Sequence, residues 1–145
     1  MASNQLSLYR LPTDEGPGGL PTSLPLVTEE SSLGHIQAMF QAIDAKDWEA
    51  LPAFFRDHAV YNRPGYPSLI GIHEIDRFYR RERIIQSGTH RIESFVQTGA
   101  HCCAIGHFEG FLKSGQGVQI DFCDSYTLFN RQITFRKTYF YTPAV

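Results

Sequence analysis

Apolar residues recur at Leu33, Ile36, Met39, Phe40 and Ile43, a spacing of three and four that places them on one face of a helix. Ser31 or Ser32, just ahead of this run, offers a side-chain oxygen to cap its first turn. The spacing predicts a second, short helix after Asp47, with Trp48, Leu51, Phe54 and Phe55 inward. Asp44-Ala-Lys-Asp47 is the tight turn between the two helices. Val60-Tyr61-Asn62-Arg63 reads as a short strand, ended by Pro64-Gly65-Tyr66-Pro67. A third helix is predicted from Ile72 to Ile85, with Ile75, Phe78 and Tyr79 toward the core and Gly88 closing it.

Beyond Gly88 the period falls to two. Four long strands are predicted over 90–97, 101–112, 117–129 and 133–141. Turns near Gly99, at Lys113-Ser-Gly-Gln-Gly117 and at Asn130-Arg131 join them. Helices followed by strands imply an α+β domain in which three helices pack on a mainly antiparallel sheet. Residues 1–30 hold four of the eight prolines and three glycines, so they are expected to form an extended arm ahead of a domain spanning 31–145.

The chain has 145 residues, enough for one domain with a substantial core. With 42% hydrophobic residues it is too apolar to remain disordered. No apolar run reaches the ~20 residues of a membrane span. Thirteen Lys and Arg against fifteen Asp and Glu leave a net charge of −2, which argues against nucleic acid as a partner. The positive charge is uneven, because six arginines (63, 77, 80, 81, 83 and 91) fall within residues 61–91. On the third helix Arg77, Arg80 and Arg81 are expected at a solvated face, and Arg83 at the end of the barrel. The three cysteines, Cys102, Cys103 and Cys123, form neither a disulfide framework nor a zinc motif. Reduced thiols and the absence of a signal-peptide pattern imply a cytoplasmic protein. No metal-ligand, P-loop or dinucleotide motif occurs, so neither metal nor cofactor is expected.

Several segments resemble a known family. They are Ala42-Ile-Asp-Ala-Lys-Asp-Trp-Glu-Ala-Leu51, Phe54-Phe-Arg-Asp-His-Ala-Val60, Gly71-Ile-His-Glu-Ile-Asp-Arg-Phe-Tyr-Arg80 and Asp124-Ser-Tyr-Thr-Leu-Phe129. With the order of elements, they resemble the nuclear-transport-factor-2-like superfamily of cystatin-like α+β barrels. Within it they resemble the SnoaL-like polyketide cyclase and ketosteroid isomerase branches. The resemblance covers residues 33–141 and implies a cone-shaped barrel enclosing an apolar pocket, with dimers paired sheet to sheet. Matched to ketosteroid isomerases, Asp124 stands at the second oxyanion-hole acid, but Arg63 replaces the catalytic base and Met39 the oxyanion-hole tyrosine. Matched to limonene epoxide hydrolases, Tyr61 is kept. Arg63, Ile105, His107 and Thr138 replace the pocket Asn, the Arg and the two acids. Neither branch's own mechanism is therefore expected.

Strand alternation then selects the pocket. With Asp124 inward, Ile120, Phe122, Tyr126 and Leu128 follow, as do Arg136, Thr138 and Phe140 on the last strand. On the second long strand the inward set would be Ala100 or Cys103, Ile105, His107 and Glu109, subject to any bulge near Gly106. Tyr61, Arg63 and the loop residue Tyr66 join them, and Met39, Phe40, Phe78, Phe122 and Phe140 line the apolar walls. His90 and His101, at strand starts, read as surface or satisfied residues.

Asp124 and His107 are the expected acid/base pair, with Tyr61, Arg63, Tyr66, Glu109, Tyr126, Arg136 and Thr138 around a small hydrophobic substrate. This implies a cofactor-free isomerase, cyclase or dehydratase. The alternative is a non-catalytic binding or accessory homodimer in which Asp124, Arg63 and Arg136 neutralise one another. Apolar outward residues on the last two strands (Phe129, Phe135, Tyr139 and Tyr141) imply a homodimer through the sheet.

Overall fold

The computed structural model describes residues 29–142, with side chains from Ser31 onward. Apart from its last two residues, the arm expected over 1–30 lies outside the described residues. Helix α1 spans Glu29–Asp44 and buries Ile36, Met39, Phe40 and Ile43 against the sheet. It starts before the expected caps: Ser32 lies within the helix, 2% exposed, and does not flank it.

The second expected helix is only one 3-10 turn, Leu51–Phe54, with Pro52 in its first positions. Phe55 is already extended (φ −116°, ψ 150°) and opposes Ile133 of the last strand. Strand β1, Phe55–Asn62, therefore begins five residues before the expected Val60. Sheet pairing has overridden a helical apolar spacing, as tertiary context does when local preference is weak. After the two-residue strand β2 (Leu69–Ile70), helix α2 runs only from Ile72 to Arg77. It widens into a π turn over Phe78–Glu82, where the Arg83 amide bonds the Phe78 carbonyl at 2.9 Å. Arg83 is extended, so the chain enters strand β3 at Ile85, and Gly88 lies inside that strand. Among the described residues there are thus two α-helices, where three were expected.

Strands β3 (Ile85–Thr98), β4 (His101–Leu112), β5 (Gly117–Phe129) and β6 (Gln132–Phe140) form an antiparallel meander. Asn130 and Arg131 both have positive φ (47° and 64°), the geometry of a two-residue hairpin turn. The six-stranded sheet has the order β2-β1-β6-β5-β4-β3, with β1 parallel to β6 and the other pairs antiparallel. Its terminal strands β2 and β3 do not pair with each other, so the sheet is open and mixed, where a closed barrel was expected. No helix among the described residues is long and apolar enough to cross a membrane.

Strand faces decide what the helices cover. On β5 and β6 the expected parity holds: Ile120, Phe122, Asp124, Tyr126, Leu128, Arg136 and Thr138 are buried. On β4 it is reversed. Ala104 lies opposite Asp124, Gly106 opposite Phe122 and Cys102 opposite Tyr126. Directly opposed residues share a face, so Cys102, Ala104 and Phe108 point inward, while Cys103, Ile105, His107 and Glu109 point outward. Gly106 is a packing requirement on the inner face, because a Cβ there would stand 2.7 Å from Phe122 Cζ.

Candidate functional site

The deepest polar group is Asp124, at 0% exposure in the middle of β5. Its Oδ2 accepts the Tyr126 hydroxyl at 2.7 Å and Arg136 Nε and Nη2 at 3.0 and 2.8 Å. Its Oδ1 accepts the Thr138 hydroxyl at 2.5 Å. Tyr61 Oη lies 3.1 Å from Thr138 Oγ1, and Arg136 Nη1 donates to Tyr79 Oη at 2.7 Å. Alternation on β5 and β6 brings these groups together, since Asp124 pairs with Thr138 and Tyr126 with Arg136 across the hairpin. Burial alone would lower the Arg136 pKa, but the Asp124 charge and the neighbouring tyrosines outweigh it and hold the guanidinium protonated. Burial also raises Tyr79 and, with Asp124, Tyr126, so both hydroxyls remain donors. Asp124 is a saturated acceptor within a compensated ion pair.

His107, the expected partner of Asp124, is on the other side of the sheet. Its Nδ1 lies 2.6 Å from Asp121 Oδ1 and its Nε2 3.5 Å from Glu109 Oε1, all on the outer face. Hydrogen bonding to Asp121 raises its pKa. Both His107 and Glu109 are therefore removed from the pocket by the parity of β4.

A different histidine takes the inner position. His90, on β3 opposite Phe108, packs against the rings of Phe40 (centroids 4.5 Å apart, stacked), Phe108 (4.6 Å) and Phe122 (5.7 Å). Asp44, the last residue of α1, reaches it twice. Oδ2 accepts the His90 backbone amide at 2.8 Å, and Oδ1 lies 2.5 Å from Nδ1. Desolvation lowers the His90 pKa despite the opposing pull of Asp44, so the imidazole is neutral at physiological pH. The carboxylate can only accept, which puts the proton on Nδ1 and leaves Nε2 with a free lone pair. Among the described residues nothing bonds to Nε2.

His90 lines one cavity with Asp124, Arg136, Thr138, Tyr61 and Arg63. Phe40, Phe122 and Phe140 supply its walls, and Arg83 also lines it. Met39, Phe78, Tyr66 and Tyr126 pack behind the lining; Tyr66 sits edge-on to Phe78 at 5.0 Å. The cavity volume is about 30 Å³, room for one or two waters. His90, Asp44 and Arg83 are the site residues that sequence reasoning did not single out. The register of β3 and β4 supplies the missing link: once Phe108 is inward, its partner His90 must be inward too. No group of three or more His, Cys, Asp or Glu among the described residues could hold a metal. Cys102, on the inner face, has its thiol pushed up to about 12 by burial, which makes it unreactive.

Residues 36–135 match the SnoaL-like domain family. No curated protein sequence matches the chain. An LEH-like epoxide hydrolase of M. tuberculosis superposes with a TM-score of 0.66 and 19% identity over 75% of this chain and 81% of its own. A polyketide cyclase-like protein of Xanthomonas campestris pv. campestris gives 0.66 and 19%, over 77% and 90%. An NTF2-like protein of unknown function from Burkholderia pseudomallei gives 0.69 and 14%, over 75% and 89%. At such identities the likeness is one of fold.

Proposed function

We propose that the chain, which belongs to the SnoaL-like domain family, is an acid/base enzyme of small hydrophobic molecules, of the isomerase, cyclase or dehydratase kind, working without a cofactor. The observation that carries this reading is the 2.5 Å contact between Asp44 and His90, on an imidazole whose Nε2 is unpartnered and whose ring lines the cavity. His90 Nε2 takes a proton from a substrate carbon, and the electron pair moves onto an adjacent carbonyl oxygen. The positive charge of the surrounding guanidiniums stabilises that oxyanion. The imidazolium, held by Asp44, returns the proton to another carbon in an isomerisation, or to a leaving hydroxyl in a dehydration. Asp124, expected to be the acid, instead holds Arg136, Tyr126 and Thr138 in place.

The cavity is small, so substrate must displace the side chains around it. Arg63 and Arg83 are the polar lining groups without hydrogen bonds to hold them. A homodimer through the sheet belongs to the same proposal; Phe129, Tyr139 and Ile105 on the outer face are 55%, 50% and 46% exposed.

The test is proton NMR in D2O with a panel of cyclic and aromatic ketones, β-keto acids and β-hydroxy acids, scored for deuterium uptake or loss of water. Turnover by the wild-type chain should fall by about 10²–10⁴ in His90→Gln, with KM little changed. Equal turnover in that variant overturns the reading. The small cavity favours a second reading, a non-catalytic binding protein, and saturable binding of a panel compound without any turnover would select it.

A further inference from the structure

Among the described residues, four guanidiniums are matched by carboxylates, three on the exterior and one inside. On the exterior, Arg77 pairs with Glu82 at 2.8 Å, Arg80 with Asp76 and Glu49 at 2.9 Å each, and Arg91 with Glu93 at 2.8 Å. Inside, Arg136 is matched by Asp124. Arg63 and Arg83 break the pattern. Arg63 Nε is buried without a hydrogen-bond partner, and the guanidinium stacks over Phe78 (4.7 Å), Tyr66 (5.3 Å) and Phe140 (5.7 Å). Arg83 is only 5% exposed; its guanidinium lies over Trp48 (5.3 Å) and Tyr79 (5.6 Å) and makes no hydrogen bond or ion pair among the described residues.

Both line the cavity of His90, which therefore holds three guanidiniums and one lining carboxylate, already committed to Arg136. Asp44 is engaged twice by His90. Ring faces attract a cation but accept no hydrogen bond in its plane, so the planar donor forks of Arg63 and Arg83 remain unmet. Arg63 Nε is buried without an acceptor, a cost that a purely structural role would not justify, and the remaining nitrogens of the two guanidiniums are left open to an anionic partner. We infer that the substrate of this site is a hydrophobic carboxylate, whose anionic group seats between Arg63 and Arg83 while its carbon frame lies on the phenylalanine walls beside His90.

This rests on the acid/base reading only in placing both events in one cavity, and binding separates the two. Trp48 is the only tryptophan of the chain and lies beside Arg83, so its fluorescence reports occupancy. The probes are benzoate and its neutral isostere benzamide, titrated into the full chain at low ionic strength. Benzoate should bind at least about tenfold more tightly than benzamide, the contribution of charge-assisted bidentate hydrogen bonds. That preference should vanish in Arg83→Met and in Arg63→Met, and survive in His90→Gln. Arg83→Lys, which keeps the charge but not the fork, should retain part of it and guards against a folding defect in the Met variants. Equal binding of the two probes, no saturable benzoate signal, or an undiminished preference in both Met variants overturns the inference. A benzoate preference together with unchanged turnover in His90→Gln would uphold it while removing the catalytic reading.

Discussion

Asp44 and His90 are joined by two hydrogen bonds that run to different parts of the same residue, backbone amide to Oδ2 and imidazole Nδ1 to Oδ1. One carboxylate at the end of α1 thus fixes where β3 starts to pack and which tautomer its histidine adopts. Asp44 does not line the cavity; in the proposed mechanism it is a positioning residue.

Replacing Asp44 with Asn keeps the size and removes the charge. Turnover should fall by on the order of tenfold or more, within the ~10²–10⁴ that the base contributes. The Asp44 charge raises the His90 pKa, so its loss should also move the acidic limb of the pH–rate profile to lower pH. A limb that stays in place would show that Asp44 only packs.

The two histidines of opposite fate should titrate apart. His90 is held below the ordinary imidazole value by desolvation, whereas His107 is raised above it by Asp121. Proton NMR should resolve them on opposite sides of pH ~6.5. Because the folded pKa of His90 is depressed, the unfolded chain binds its proton first as pH falls. Stability from this site is therefore present above ~6.5 and declines as pH drops from there toward the folded pKa. His107 has the reverse sign: its contribution is complete below ~6.5 and is lost as pH rises through its raised value. Titration of both on the same side would refute the placement.

Asp124 and Arg136 should behave as structure. Asp124→Ala leaves Arg136, 3% exposed, without a counter-ion and should destabilise the fold by about 3–5 kcal/mol in urea unfolding. The double variant Asp124→Leu with Arg136→Met removes both charges and should recover much of that loss. A double variant no more stable than Asp124→Ala would contradict this account.

The outer face should govern assembly. Lysine at Phe129 and Tyr139 together should convert a dimer to a monomer in sedimentation at micromolar concentration, since both side chains are about half exposed in the isolated chain. A wild-type monomer under the same conditions would remove the proposed interface.

The strand at Val60–Asn62, the hairpin at Asn130-Arg131 and the inward set on β5 and β6 were all legible from alternation and turn chemistry. The second helix was not, because Trp48, Leu51, Phe54 and Phe55 keep helical spacing while Phe55 is claimed by pairing with β6. The parity of β4 failed for a related reason. Cys102 and Cys103, and Ile105 through Phe108, present plausible core residues on both faces, so local pattern cannot choose between them. Only the register that sets Ala104 against Asp124 does so, and that one-residue choice exchanges His107 for His90.

From its sequence alone, then, this chain determined an α+β domain, the apolar walls and a buried polar cluster around Asp124, because these follow from periodicities of adjacent residues. The identity of the proposed base, the partner that orients it and the two unmatched arginines depend on the tertiary structure. They depend on residues 46 positions apart in the chain meeting at the junction of α1 and β3, and on a register that no short segment specifies.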